Sequence, residues 1–254
     1  MEGRPSERGL ALVVVLWGVA ALSLIAAAMA AAAISAAHVE HNAWTQLQVQ
    51  TAADAGIQGA VLSLFDPDAS NRSPLDGRER QISVLGTAVT VSIQDEAGRI
   101  DLNSAGRNLL RDYFKAAGAS DADGLADRVV ARRSGAATEN PQAAKPFQSV
   151  DELNFIPGMT PGLLSRVAPG LTVYSHSPNF DMRVAPDGVL QVIPGVDQHG
   201  ADVMIAGRHP GTAPIGHAFT VVADAQHGPA RFSRRAVILL SGDPARPYWM
   251  LDWK

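Results

Sequence analysis

The sequence predicts an α+β chain: a very long N-terminal helix, an antiparallel sheet, and a large helical region inserted between the sheet's two halves. Three observations carry this. No charged side chain occurs in residues 10–37. Period-two alternation of apolar residues appears at 82–93 and again after residue 217. Between those stretches, 104–216 reads as short helices punctuated by Pro and Gly.

The first nine residues, MEGRPSERG, are polar and carry Arg4 and Arg8. Residues 10–37 would form a helix about 42 Å long, enough to cross a hydrocarbon core of about 30 Å. A helix also satisfies its own backbone, which lipid cannot do. The arginines precede the apolar run and Glu40 follows it, which places the short leader in the cytoplasm and the remainder outside. A secretory signal would have a shorter apolar core and a small-residue cleavage site after it. The bland reading of this N-terminus is an uncleaved signal-anchor; the sharper one rests on Gly9.

Beyond the apolar run, Ala53, Ile57, Ala60, Val61 and Leu64 share one helical stripe, so residues 38–65 continue the same helix as a stem. Asp66-Pro67 ends it, because the residue before proline avoids the helical region. Small side chains at 26–33 permit close helix approach in lipid. Residues 66–80 are rich in Asp, Ser, Pro and Gly and read as a loop. Ile82 and Val84, a turn around Leu85-Gly86-Thr87, and Val89, Val91 and Ile93 read as a hairpin with one buried face. The next turn covers 95–99, before Ile100 and Leu102, and the first part of the sheet is set at 80–103.

In the insertion, 108–117 and 122–133 are helical, and 134–146 is a loop rich in Ala, Pro, Asn and Gln. Leu153-Asn154-Phe155-Ile156-Pro157-Gly158-Met159 is echoed by Leu190-Gln191-Val192-Ile193-Pro194-Gly195-Val196. A second echo relates Asp101, Leu102, Ala105 and Leu110 to Asp181, Met182, Ala185 and Leu190. Together they suggest a repeated helical hairpin with corners at Pro157-Gly158 and Pro194-Gly195. After 217, the alternation Phe219, Val221, Ala223, the run Val237-Ile238-Leu239-Leu240, and Tyr248-Trp249-Met250-Leu251 read as returning strands.

The residues also carry a family resemblance. A charged leader ending in Arg8-Gly9 before Leu10-Ala11-Leu12-Val13-Val14 resembles the type III signal of type IV pilins and pseudopilins. Asp95-Glu96-Ala97-Gly98-Arg99-Ile100-Asp101-Leu102-Asn103 resembles the segment that opens the α-domain of one branch. Ser149-Val150-Asp151-Glu152-Leu153 and Pro169-Gly170-Leu171-Thr172-Val173-Tyr174-Ser175 resemble its middle, and Val184-Ala185-Pro186 with Ile193-Pro194-Gly195 its end. That branch is the K-type minor pseudopilin of type II secretion systems, the general secretion pathway protein K family. The resemblance implies a pilin-like fold with a helix-hairpin-helix or SAM-like α-domain. Its units are leader 1–9, transmembrane helix 10–37, stem 38–65, sheet 80–103, α-domain 104–216 and sheet 217–254. It implies cleavage between Gly9 and Leu10 by a prepilin peptidase, and methylation of the new amine.

Most pilins place a glutamate at the fifth mature position; here that position is Val14, as the K-type pattern has it. The implied place is the tip of the pseudopilus in the cell inner membrane, single-pass with the head in the periplasm. The implied partners are I- and J-type minor pseudopilins, the major pseudopilin and the inner-membrane assembly platform, and the implied role is exoprotein secretion. One departure is visible: the Asn-rich strand before the proline is replaced by Asp181-Met182-Arg183-Val184.

The hairpin corners also allow a membrane-anchored DNA-uptake protein, since such turns can hold phosphate on backbone N–H groups; a minor type IV pilin is a further alternative. The net charge of −4 and the acidic flanks Asp151, Glu152, Asp187, Asp197 and Asp202 argue against nucleic acid. No P-loop, H-E-x-x-H or G-x-S-x-G pattern occurs, so no enzyme is expected, and cysteine is absent. His38 and His41 lie one helical turn apart; His176, His199, His209, His217 and His227 are scattered through loop-like sequence. The pairs Asp66/Asp68, Asp95/Glu96 and Asp121/Asp123 leave calcium open, without a ligand assignment.

Overall fold

The computed structural model describes residues 6–135, 145–193, 196–208 and 211–254. Helix α1 (Ser6–Ser63) is unbroken over 58 residues. Its two halves differ in what they touch. Up to Leu47 the described side chains are largely exposed, whereas Val49, Ala52, Ala53, Ile57, Ala60, Val61 and Leu64 are buried at the i, i+3, i+4 spacing of one helical face.

That face lies on a five-stranded antiparallel sheet with the order β1-β2-β5-β6-β7. Its strands are β1 (Asp76–Val84), β2 (Thr87–Asp95), β5 (Ala218–His227), β6 (Ala230–Asp243) and β7 (Arg246–Trp253). Val89, Val91 and Ile93 of β2, Phe219, Val221 and Ala223 of β5, and Ala236, Ile238 and Leu240 of β6 meet the helix in one core. Gly56 lets the helix close on the sheet, since a Cβ there would stand 2.9 Å from a Val89 methyl.

The sheet begins earlier and ends earlier than the sequence suggests, at 76–95 rather than 80–103. At its start, Asp76-Gly77-Arg78-Glu79-Arg80 reads as loop, yet it is an edge strand with a bulge between Asp76 and Glu79. This start of the strand has no apolar side chain, so it shows no apolar alternation. At its end, the Asp95 carboxylate accepts from the Ala97 N–H and starts a 3₁₀ turn over Glu96–Gly98. The chain leaves the sheet there. Ile100 and Leu102 enter a second core, where β3 (Ile100–Asp101) pairs in parallel with β4 (Leu171–Thr172).

The second core belongs to the insertion. It packs α2 (Arg107–Ala116), α3 (Ala122–Ser134), α4 (Pro161–Val167), α5 (Asp187–Leu190) and α6 (Gln198–Ala206) around Leu102, Leu110, Phe114, Leu125, Phe147, Leu153 and Leu190. The expected 134–146 loop lies mostly outside the described residues. The echo between 101–110 and 181–190 corresponds to local structure. Ala105 and Ala185 are wholly buried, and helices start at Arg107 and Asp187, keeping the spacing of the sequence echo. Asp101 and Asp181 each accept from backbone N–H groups just downstream of them.

The insertion leaves from β2 and returns into β5, which are adjacent and antiparallel. Several bonds hold it to the sheet. The Gln94 amide donates to the Val184 carbonyl at 2.7 Å, and the Asp181 N–H donates to the Ala97 carbonyl at 2.7 Å. Arg208 donates to the Ala185 carbonyl at 2.8 Å and stands 3.7 Å from the Asp76 carboxylate. On the sheet side of the joint, His217, just ahead of β5, places Nδ1 3.0 Å from Asp95 at the end of β2.

Candidate assembly surfaces

The first surface is the rod. Gly9 and Leu10 lie in the opening turns of α1, and Val14 is exposed one turn further on. Leu16, Trp17, Leu22, Leu24, Ile25 and Met29 continue the exposed apolar surface. The helix is long and apolar enough to cross a membrane, and none of its most apolar stretch is buried against the rest of the chain. A helix apolar all round and buried by nothing in its own chain needs lipid or other helices around it.

The second surface is the sheet edge at β7. The opposite edge, β1, carries Arg78, Glu79 and Arg80 and a bulge, which discourage strand addition. The β7 edge is also interrupted, by register shifts against β6 beside Val237 and Leu240, but its side chains differ: Trp249, Met250, Leu251 and Trp253 are each between 38% and 47% exposed. Arg246 lies over the Trp249 ring at 4.3 Å and Arg234 over the Trp253 ring at 5.2 Å, so cations flank the aromatic strip. Sequence reading found this strand but not its edge position, which depends on pairing order.

The third region comprises the hairpin corners. Pro157 and Gly158 join a 3₁₀ helix over Val150–Phe155 to α4, so the first arm is a 3₁₀ turn rather than an α-helix. Gly158 has φ +90°, and a Cβ there would stand 2.9 Å from Arg128 Nη2. Ser149 and Glu152 form a capping box at this arm. Pro194 and Gly195 lie outside the described residues. The cations beside the first corner are engaged within the fold: Arg128 pairs with Asp121, and Arg132 with Glu152 while stacking on Phe147 at 4.3 Å. Their charge is thereby partly neutralised.

The acidic pairs likewise have partners in the chain. Asp66 accepts from the Asp68 N–H, and the Ser70 N–H and hydroxyl hold the Asp68 carboxyl below its ordinary range. Asp121 is held low by the Gly124 N–H and Arg128, and Asp123 pairs with Arg107. Glu96 makes a buried bond with Arg99 at 2.8 Å. Burial pushes the Asp95 carboxyl up, against the pull of the Ala97 N–H and His217. Among the described residues no three His, Asp or Glu side chains converge as a metal ligand set.

Fold and surfaces define a class: an α+β protein in which one helix is an apolar rod at one end and the spine of an antiparallel sheet at the other. No family model matches the chain, and no curated protein matches it. A solved structure similar to it is a chain in the crystal structure of the GspK-GspI-GspJ complex from the enterotoxigenic Escherichia coli Type 2 Secretion System. The identity is 13% and the TM-score 0.48, over 87% of this chain and 97% of that one.

Proposed function

We propose that this chain is a K-type minor pseudopilin, a single-span inner-membrane subunit that takes part in assembling the type II secretion pseudopilus and in exporting proteins across the outer membrane. The single observation that carries the reading is the division of labour along α1. Its first half offers apolar side chains to lipid or to other helices, and its second half is the core of the sheet that carries the head. A soluble enzyme has no use for such a rod.

The remaining parts fit around it. Cleavage after Gly9 would free the amine of Leu10 while leaving the rod in the bilayer. With Val14 in place of a carboxylate, no buried charge in the rod can pair with a neighbour's N-terminal amine, a contact a subunit at the tip does not need. The I- and J-type partners are proposed from the sequence resemblance, with rods bundling in lipid and heads docking along β7. Asp181, in the segment Asp181-Met182-Arg183-Val184 that replaces the family's Asn-rich strand, still ties the insertion to the Ala97 carbonyl through its N–H.

Because the chain has no cysteine, Met29→Cys gives a single thiol on the rod. Co-expressed with I- and J-type subunits carrying cysteines at matching rod positions, it should form oxidative cross-links to at least one of them. A rod that stays monomeric in the membrane with every such partner would contradict the proposal.

A further inference from the structure

The rod is longer than a bilayer core. Residues 10–37 span about 42 Å as helix, against a core of about 30 Å. The common accommodation is tilt, whose direction is set by anchors at the interface rather than by length. A tilted rod must lower one side of its upper half toward the lipid, and the structure shows what that side carries.

Trp44 and Leu47 lie just beyond the charge-free run and are 68% and 54% exposed. On the same helix face, Ala37, Glu40 and His41 continue the surface down to the apolar run. The head closes the groove from the other side. Leu85, at the tip of the β1–β2 turn, lines one depression with Trp44, Leu47, Gln48 and Thr51. The Gln48 amide donates to the Thr87 hydroxyl at 3.2 Å, fixing the turn beside the helix. The register places this turn at the end of the sheet nearest the rod, since Gln48 meets Thr87 while Gly56 meets Val89 and Ala223 further up.

Leu85 combines two unfavourable features. It is 79% exposed, and it is a non-glycine residue at φ +50°. Asn or Gly would make this two-residue turn without strain and without a greasy tip. A leucine held there, next to an exposed tryptophan, suits the zone where apolar bodies and polar headgroups meet.

We infer that the β1–β2 turn is a second membrane contact: the rod leans toward its Trp44 face, and Leu85 with Trp44 rests in the headgroup layer of the leaflet on the head's side. The occupant is lipid because the groove continues the surface of the apolar rod and Trp44 stands only about 10 Å along the helix from Ala37. The inference rests on the reading that α1 spans the membrane. The contact sets which way the head faces before any partner arrives.

The test uses the full chain in nanodiscs of phosphatidylethanolamine and phosphatidylglycerol, with nitroxide labels on single cysteines. Labels at Ala26→Cys, Leu85→Cys and Ser120→Cys report accessibility to oxygen, which favours lipid, against a water-soluble nickel chelate. The expected oxygen-to-nickel ratio is highest at Ala26, intermediate at Leu85 and severalfold lower at Ser120 in the insertion. Because a label is itself greasy, Ala88→Cys is read with Leu85 present and with Leu85→Asp; the charge should lower the ratio. A Leu85 label as water-exposed as Ser120, beside a lipid-exposed Ala26, overturns the contact and leaves the span intact. Low access of both reagents at Leu85 means a protein neighbour occupies the groove and also overturns it. A water-exposed Ala26 overturns the spanning helix itself.

Discussion

At the scale of single residues, two positions show how closely the insertion is fitted to the sheet. A Cβ on Gly98 would stand 2.3 Å from the Val184 carbonyl oxygen, a backbone atom that cannot step aside. Gly98→Ala should therefore lower stability by about 1–3 kcal/mol, the usual range for overpacking, seen as a lower thermal midpoint of the detergent-solubilised chain. Tyr113 is the second. Its hydroxyl is buried and donates to the Val167 carbonyl at 2.8 Å, and burial pushes its pKa up to about 12. The unfolded chain releases that proton near pH 10. Between about pH 10 and 12 the folded state thus holds more protons than the unfolded one, and stability falls as pH rises through that window. Denaturant titrations should show this loss, and Tyr113→Phe should show less of it. The sequence gives no sign of either constraint, because each depends on what a distant segment brings near.

At the scale of elements, α1 was the most legible part of the sequence. A charge-free run, a stripe of small and apolar residues and an Asp-Pro stop each follow from local physics, and the structure ends the helix at Ser63. The β1–β2 turn at Leu85-Gly86 and strands β5 to β7 were legible for the same reason. The charged start of β1 was not, because Asp76-Gly77-Arg78-Glu79-Arg80 has no apolar side chain to set a period. The two-residue β3–β4 ladder was not either, since parallel partners 71 positions apart leave no local mark. For the rod the expected outcome is simple. Leu24→Asp places a carboxylate mid-rod, which costs about 2.5–3.5 kcal/mol on insertion scales. A larger fraction should be extractable from membranes with carbonate, while Leu62→Asp, exposed on the upper half of α1, should leave extraction unchanged.

At the scale of the whole molecule, two separate cores are joined by a small set of bonds. Gln94 and Arg208 carry much of that joint, together with the bond from the Asp181 N–H to the Ala97 carbonyl. Removing the Arg208 guanidinium loses its bond to the Ala185 carbonyl and its ion pair with Asp76, which keeps Arg78 as partner. Arg208→Ala should speed amide exchange in the insertion more than in β5 and β6, so that the two cores no longer open as one unit. Equal acceleration in both would mean the joint is not what couples them. The order of strands and the existence of this joint were beyond sequence reading, because both are set by long-range pairing. The candidate surfaces divide the same way: the rod is written in a run of residues, whereas the β7 edge follows only from β7 having no neighbour beyond it among the described residues.

The central claim is that the apolar rod is freed from its leader and kept. Intact-mass and N-terminal analysis of the protein extracted from its native membrane tests this most directly. The account predicts a chain that begins at Leu10 with a methylated amine and retains residues 10–37. A product that still carries Met1, or one that starts beyond Ala37, would contradict it.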